Sequence, residues 1–181
     1  MKTNSNANEI FDEIFDLAAK YNATSKPVRS SNGLGIDIVR ALKKLAAFLQ
    51  TFLNDIKKES YVITISKGQS NVPRLLYVAI SLKSDSLSVE PSVTICFAEK
   101  GEGCVVGMMY PEAYRRAGLT SLIKVKKNTL IDLSSSRSKY NFNDCFANPL
   151  ELCKDQIDET KLLKHLTKSL VMLDKEHENG N

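Results

Sequence analysis

The apolar residues of this chain change their spacing near Tyr61, and this change limits the folds open to the chain. Before that point they recur every three or four residues, as on one face of a helix. After it they form four short runs rich in β-branched residues, YVITIS, LLYVAISL, SVTICFAE and CVVGMMY. Separators such as KGQSNVPR and KGEG are short enough for antiparallel connections. The sequence therefore predicts helices followed by a mainly antiparallel sheet.

Helical spacing predicts two helices before the sheet and one after it. Residues 8–21 carry an apolar stripe with acids on the other face, and residues 36–57 carry a longer stripe. We therefore expect an α+β fold in which helices pack around a mainly antiparallel, mixed sheet. At 181 residues this fits one domain, with a helical part at 1–58, a β-rich core at 61–127, a loop-rich part at 128–156 and a C-terminal helix at 157–173.

Apolar runs in this chain are all shorter than the roughly 20 residues that a membrane span needs. The first residues, MKTNSNANEIFDEIF, are polar and then acidic, without the apolar core of a signal peptide. We therefore expect a cytoplasmic protein without membrane contact.

Residue patterns for catalysis or metal binding are missing from the sequence. A metal-dependent nuclease needs an acid and a lysine alternating on a strand, whereas Glu159-Thr160-Lys161 falls in the C-terminal helical region. KGEGCVVG lacks the Lys-Ser/Thr of a phosphate-binding loop, and no GxSxG occurs. The four cysteines have no CxxC spacing, which predicts buried free thiols; they are Cys96, Cys104, Cys145 and Cys153. We expect no enzyme activity, no metal and no cofactor.

The net charge of +4 is modest, but the basic residues are unevenly distributed. Between residues 115 and 139, Asp132 is the one acid. The cations of this basic stretch are Arg115, Arg116, Lys124, Lys126, Lys127, Arg137 and Lys139. They suit phosphate contacts, and nearby Tyr114, Tyr140 and Phe142 suit stacking on exposed bases. The alternative is a solvated charged face with aromatic side chains packed in the core.

The connection ISKGQSNVPRL, at residues 65–75, is unusually polar for a segment between two strands. Turn geometry accounts for Gly68, Asn71 and Pro73. The remaining polar side chains are Lys67, Gln69, Ser70 and Arg74. Glutamine and arginine suit base edges, and lysine and serine suit phosphates. An ordinary solvent-facing hairpin loop would have the same composition.

Two motifs resemble the N-terminal domain of McrB-like restriction proteins. One is S-K-G-x-x-N-x-P, which follows a helix, and the other is CFAEKGEGCVVGMMY. The resemblance covers about residues 61–113, and the preceding helices are consistent with it. Where the family often places an aromatic residue after the loop proline, this chain has Arg74 and Leu75.

The resemblance implies a DNA-recognition domain, non-catalytic by itself, that selects a modified or sequence-specific site. Its partners would be double-stranded DNA, methylated DNA included, and a separate GTP-driven motor and nuclease subunit. Some family members turn a methylated cytosine out of the helix into a pocket. The 181 residues contain no nucleotide-binding loop, so this is either an isolated recognition domain or a stand-alone protein whose motor lies on another chain.

Carried onto this sequence, the resemblance makes the 67–74 loop a DNA contact and gives Tyr110 and Tyr114 the place of a base pocket. The DNA-binding candidates from the loop are Lys67, Gly68, Gln69, Ser70, Asn71 and Arg74. The basic stretch adds Arg115, Arg116, Lys124, Lys126 and Lys127. The alternative function is a protein-interaction or regulatory domain without a nucleic-acid role, which would use helix 36–57 as a docking surface.

Overall fold

Two helices, a five-stranded sheet and a C-terminal helix make up the fold, which is α+β. The computed structural model describes residues 6–82, 87, 90–114 and 124–179. The helices are α1 (Ala7–Asn22), α2 (Gly33–Asp55), the short α3 (Glu112–Tyr114) and α4 (Glu159–Asn179). The strands are β1 (Tyr61–Ile65), β2 (Tyr77–Leu82), β3 (Ser92–Phe97), β4 (Gly103–Met109) and β5 (Leu150–Cys153). None of the helices in these ranges is long and apolar enough to cross a membrane.

The strands follow one another across the sheet in sequence order, and every neighbouring pair is antiparallel. Short connections suffice for this order, as between β3 and β4. Gly101 turns that connection with a φ of 73°, and a Cβ there would lie 2.2 Å from the carbonyl oxygen of Phe15. The antiparallel arrangement predicted from the short apolar runs is confirmed.

The helices cover one face of the sheet. α1 packs on α2, α2 packs on β1 and β2, and α4 packs on β3 and β4. An aromatic cluster of Phe11, Phe15 and Phe97 joins α1 to the sheet, with ring centroids 5.6 to 6.2 Å apart. The apolar stripe of α2 is buried in the same core, for example at Leu45 and Leu49. That stripe therefore stabilises the fold, and only the opposite, exposed side of α2 is open to the docking expected for the alternative function.

The opposite face of the sheet is covered by the segment that precedes β5. Ile131, Leu133 and Phe146 form a second cluster there with Cys96 and Val105 of the sheet. This burial gives the loop-rich part a definite place in the core, although its pattern of apolar residues has no regular period.

One carboxylate holds the beginning of that covering segment. Glu151 Oε1 accepts hydrogen bonds from the N–H groups of Thr129 (2.8 Å), Leu130 (2.7 Å) and Ile131 (2.9 Å). Burial raises the pKa of the Glu151 carboxyl, but the hydrogen bonds from Ile131, Thr129 and Leu130 together lower it below its ordinary value. These bonds therefore favour the charged carboxylate.

Helix α4 continues beyond the predicted end at residue 173 to Asn179. The apolar stripe ends near Leu173, and polar contacts with other elements hold the next turn. Lys58 Nζ and Tyr61 Oη each donate to Asp174 at 2.5 Å. Because these contacts come from residues far away in sequence, the helical spacing gives no sign of them.

Candidate nucleic-acid interface

The loop between β1 and β2 starts from a hydrogen-bonded pair. The N–H of Ser66 donates to the carbonyl of Tyr77 at 2.9 Å, and the N–H of Tyr77 donates to Ser66 Oγ at 2.7 Å. Gly68 follows with a φ of 64°, and a Cβ there would lie 2.0 Å from the carbonyl oxygen of Asn71. The turn-forming role predicted for Gly68 is therefore confirmed.

This loop lies against the connection between α1 and α2. The N–H of Ser30 donates to the carbonyl of Ser70 at 3.0 Å, and the N–H of Val72 donates to the carbonyl of Val28 at 2.9 Å. Backbone bonds at both positions join the two loops. The loop is therefore held along its length, and a freely projecting hairpin tip does not describe it.

Four of the loop side chains predicted to contact DNA point to solvent. Lys67, Gln69, Ser70 and Asn71 are all exposed. Their placement is compatible with contacts to a large polyanion, because that partner can reach them without rearrangement of the backbone.

Arg74 is placed differently from the other predicted contacts. Its guanidinium donates to the carbonyls of Tyr21 (2.7 Å), Thr24 (3.3 Å) and Lys26 (3.2 Å). It also lies over the ring of Tyr21, 4.2 Å from the centroid. A cation in this position satisfies carbonyl groups at the C-terminal end of α1. Three of the five N–H donors of Arg74 are used in these bonds, so the geometry supports a structural role.

Arg137 brings part of the basic stretch to the same place. Its guanidinium donates to the carbonyl of Thr24, which also accepts from Arg74. The chain beside Arg137 is held by the buried carboxylate of Glu99, which accepts from the N–H of Ser136 at 2.9 Å and from its hydroxyl at 3.2 Å. The loop between β1 and β2 and one end of the basic stretch therefore meet at Thr24.

We call residues 23–32, 67–74 and 134–140 the three-loop surface. Each loop lies in a longer segment without aspartate or glutamate, namely 17–36, 60–82 and 133–143. The cations of these segments are Lys20, Lys26, Arg29, Lys67, Arg74, Arg137 and Lys139. A shallow depression of about 640 Å³ lies in this surface beside Lys26 and Arg29. In the described part of the chain, two carboxylates from outside the loops contact this surface, Asp132 at Ser134 and Glu99 at Ser136, and the cations outnumber them, which favours anions.

Tyr140 adds an aromatic side chain to this surface. It is 58% exposed, and its ring stacks on that of Phe142 with centroids 6.1 Å apart and planes 20° apart. Phe142 packs against the second core cluster. The outer face of Tyr140 is therefore held in a defined orientation and is open to a planar ligand.

The remaining cations of the basic stretch lie elsewhere. Lys126 forms a bridge with Phe146, which also bridges Met109 at the far end of β4. The spacing between strands and the rise per residue, counted from Tyr77, place this site on the order of 20 Å from the loop between β1 and β2. Lys124 and Lys127 are exposed neighbours of Lys126. Arg115 and Arg116 lie outside the described residues.

The two tyrosines predicted to form a base pocket have separate outcomes. Tyr110 is 5% exposed, and its hydroxyl donates to Glu176 of α4 at 3.0 Å. This residue belongs to the core between sheet and helix, so a base could reach it only if α4 moved. The side chain of Tyr114 lies outside the described residues.

Known proteins give no guide to the role of this surface. Comparisons with protein-family models, with curated proteins and with solved structures found no match. Functional assignment therefore depends on the residues of this chain.

The cysteine thiols and His165, which could support catalysis or metal binding, lie in surroundings typical of residues that only stabilise the fold. Burial raises the pKa of the Cys96 and Cys104 thiols, which disfavours the reactive thiolate. His165 Nε2 lies 2.8 Å from the carbonyl of Asn148 and 3.1 Å from that of Val106, and burial lowers its pKa. Within the described ranges, no three His, Cys, Asp or Glu side chains are grouped as metal ligands would be.

Lys26 and Arg29 are two exposed members of the three-loop surface that the sequence reasoning missed. A usable signal was present, since residues 17–36 contain cations and no acids. From the sequence alone this absence of acids does not indicate a binding surface, because the segment has the composition of an ordinary Ser/Pro-rich connection between helices. Its pairing with residues 70–72 is a long-range contact.

Proposed function

We propose that this protein is a DNA-recognition domain, non-catalytic by itself, of the McrB-like type that its SKGxxNxP and CFAEKGEG motifs resemble. The supporting observation is the three-loop surface, in which three acid-free segments are hydrogen-bonded together. Phosphate contacts of lysine and arginine supply much of the affinity of proteins for DNA. The three-loop surface brings such cations together, and the carboxylates next to it, Asp132 and Glu99, are engaged by hydrogen bonds from Ser134 and Ser136.

The exposed side chains divide by the part of DNA that each would contact. Lysine and arginine at positions 26, 29, 67 and 139 suit phosphates. Gln69 and Asn71 have the paired donor and acceptor that reads an adenine edge in the major groove. Tyr140 suits stacking on a base that has left the duplex. In this proposal Arg74 and Arg137 order the loops, and a separate GTP-driven motor and a nuclease subunit perform the cutting.

A binding titration across a salt series tests the phosphate contacts. Fluorescence anisotropy would compare methylated, hydroxymethylated and unmodified duplexes of one sequence. Replacing Lys67 or Arg29 by alanine should weaken binding to every duplex and reduce the slope of log K against log salt by about 1 for each lost contact. Lys168→Ala, at an exposed position on α4, is the matched control and should leave the slope unchanged.

Two further sets of variants test the extent of the surface and its specificity. Lys126→Ala and Lys127→Ala should change the slope less than Lys67→Ala, because they lie at the far end of the sheet. Gln69→Ala or Asn71→Ala should reduce by about 1 to 3 kcal/mol the preference between the unmodified duplex and duplexes in which single A·T pairs are replaced by G·C pairs. If the protein binds none of the three duplexes at low salt, the proposal is refuted. If neither Gln69→Ala nor Asn71→Ala changes the preference between duplexes, base recognition by the loop is refuted.

A further inference from the structure

Strand β1 forms one edge of the sheet, and its hydrogen-bonding directions follow from two observed bonds. The N–H of Ser66 donates to Tyr77, and the N–H of Phe97 donates to Leu76. Because these directions alternate along a strand, Val62 and Thr64 bond to β2 while Ile63 directs its N–H and C=O away from the sheet. Within the described ranges, no other strand pairs with this edge of β1.

The sequence of β1 is well suited to pairing with another strand. YVITI contains no charge and no proline, the features that commonly protect an edge. All five residues are of types favoured in strands. Val62, Ile63 and Ile65 are half-buried, and Thr64 is exposed. The N–H and C=O of Ile63 therefore point outward beside apolar side chains, whereas the N–H of Tyr61 donates to the carbonyl of Lys58 at 3.4 Å and the carbonyl of Ile65 accepts from the N–H of Lys67 at 2.9 Å.

We propose that a second copy of this chain pairs with this edge, β1 against β1, antiparallel and centred on Ile63. The two-fold arrangement would let the N–H and C=O of Ile63 bond to their counterparts in the second copy. Val62 would lie opposite Thr64, and Tyr61 opposite Ile65, pairs of β-branched and aromatic residues that stabilise sheets. The product is a continuous ten-stranded sheet with closed symmetry, since each copy has one β1 edge.

The charges next to β1 select a second copy in this register as the occupant. Glu59 and Lys67 lie at equal distances in sequence from Ile63, beyond opposite ends of the strand, and both are exposed. Antiparallel pairing about Ile63 therefore brings Glu59 of each copy towards Lys67 of the other. A shift in register would separate both pairs of charges.

Charge exchange at these two positions tests the pairing without disturbing the core. Analytical ultracentrifugation of the full chain without DNA should detect a concentration-dependent dimer. Glu59→Lys or Lys67→Glu alone should weaken it about tenfold, because each places like charges together at both ends. The double variant Glu59→Lys/Lys67→Glu should recover the original dissociation constant. Asp55→Lys, at an exposed position on α2, is the matched control and should leave the dimer unchanged.

Hydrogen exchange at the Ile63 amide locates the interface directly. In the proposed dimer this amide should exchange more slowly as protein concentration rises. A monomer at every concentration with an unprotected Ile63 amide would overturn the inference. So would a monomer with a protected Ile63 amide, which would mean that another segment of the same chain covers the edge. A dimer whose dissociation constant is unchanged in both single variants would place the interface elsewhere.

Discussion

Arg74→Ala should destabilise the fold, because Arg74 joins the end of α1 to the loop before β2. The variant loses three hydrogen bonds to backbone carbonyls and the contact over the Tyr21 ring. All three carbonyls keep other donors, namely the Thr24 N–H at Tyr21, Arg137 at Thr24 and the Thr24 hydroxyl at Lys26, so part of their hydrogen bonding survives. We expect a loss of about 2 to 3 kcal/mol, from one or two net hydrogen bonds and one cation–π contact.

Urea unfolding followed by circular dichroism measures this loss. For a chain of this size, about 2 to 3 kcal/mol corresponds to a fall in Tm of about 4 to 12 °C. Arg40→Ala is the control, since Arg40 is exposed and pairs only with Asp37 one helical turn away among the described contacts. Its loss should stay below about 0.5 kcal/mol.

Arg74→Lys separates charge from geometry at the same position. Lysine keeps the positive charge but cannot bond three carbonyls from one planar group, so most of the loss should remain. A free energy of unfolding for Arg74→Ala within about 0.5 kcal/mol of that for Arg40→Ala would refute the structural role. Arg74 would then be available as the DNA contact that the sequence predicts.

Two other substitutions test contacts that position the loops. Glu151→Gln should cost about 1 to 3 kcal/mol at neutral pH in urea unfolding, because three N–H groups lose a charged acceptor. The lowered pKa of Glu151 means that this stability is present above the ordinary glutamate pKa of about 4.3 and is lost as pH falls through the lowered value. A difference between Glu151→Gln and wild type that persists at acid pH would contradict the assignment. Gly68→Ala should lower the Tm by several degrees, since φ is 64° and the new Cβ would meet the carbonyl of Asn71; an unchanged Tm would show that the turn can relax.

The sequence predicted the elements of the fold because their signals are local. Apolar residues spaced for a helix predicted α1 and α2, and short β-branched runs predicted the antiparallel strands. Predictions at element ends were weaker, as the extension of α4 shows, because contacts such as Tyr110 with Glu176 come from distant parts of the chain.

Single residues of the candidate site show where local signals fail. Gly68 was assigned correctly as a turn residue, since a positive φ is a property of its own backbone. Arg74 was assigned from its residue type, but its bonding is set by carbonyls about 50 residues away in sequence.

The sequence by itself determined the α+β class, the separation of helical and strand-forming segments, and the presence of acid-free basic segments. The tertiary structure decided which cations share a surface. It brought Arg137 to Thr24 across 113 residues and left Lys126 at the far end of the sheet. Residue type and spacing describe neighbours along the chain, whereas a charged surface depends on which distant segments the folded sheet brings together.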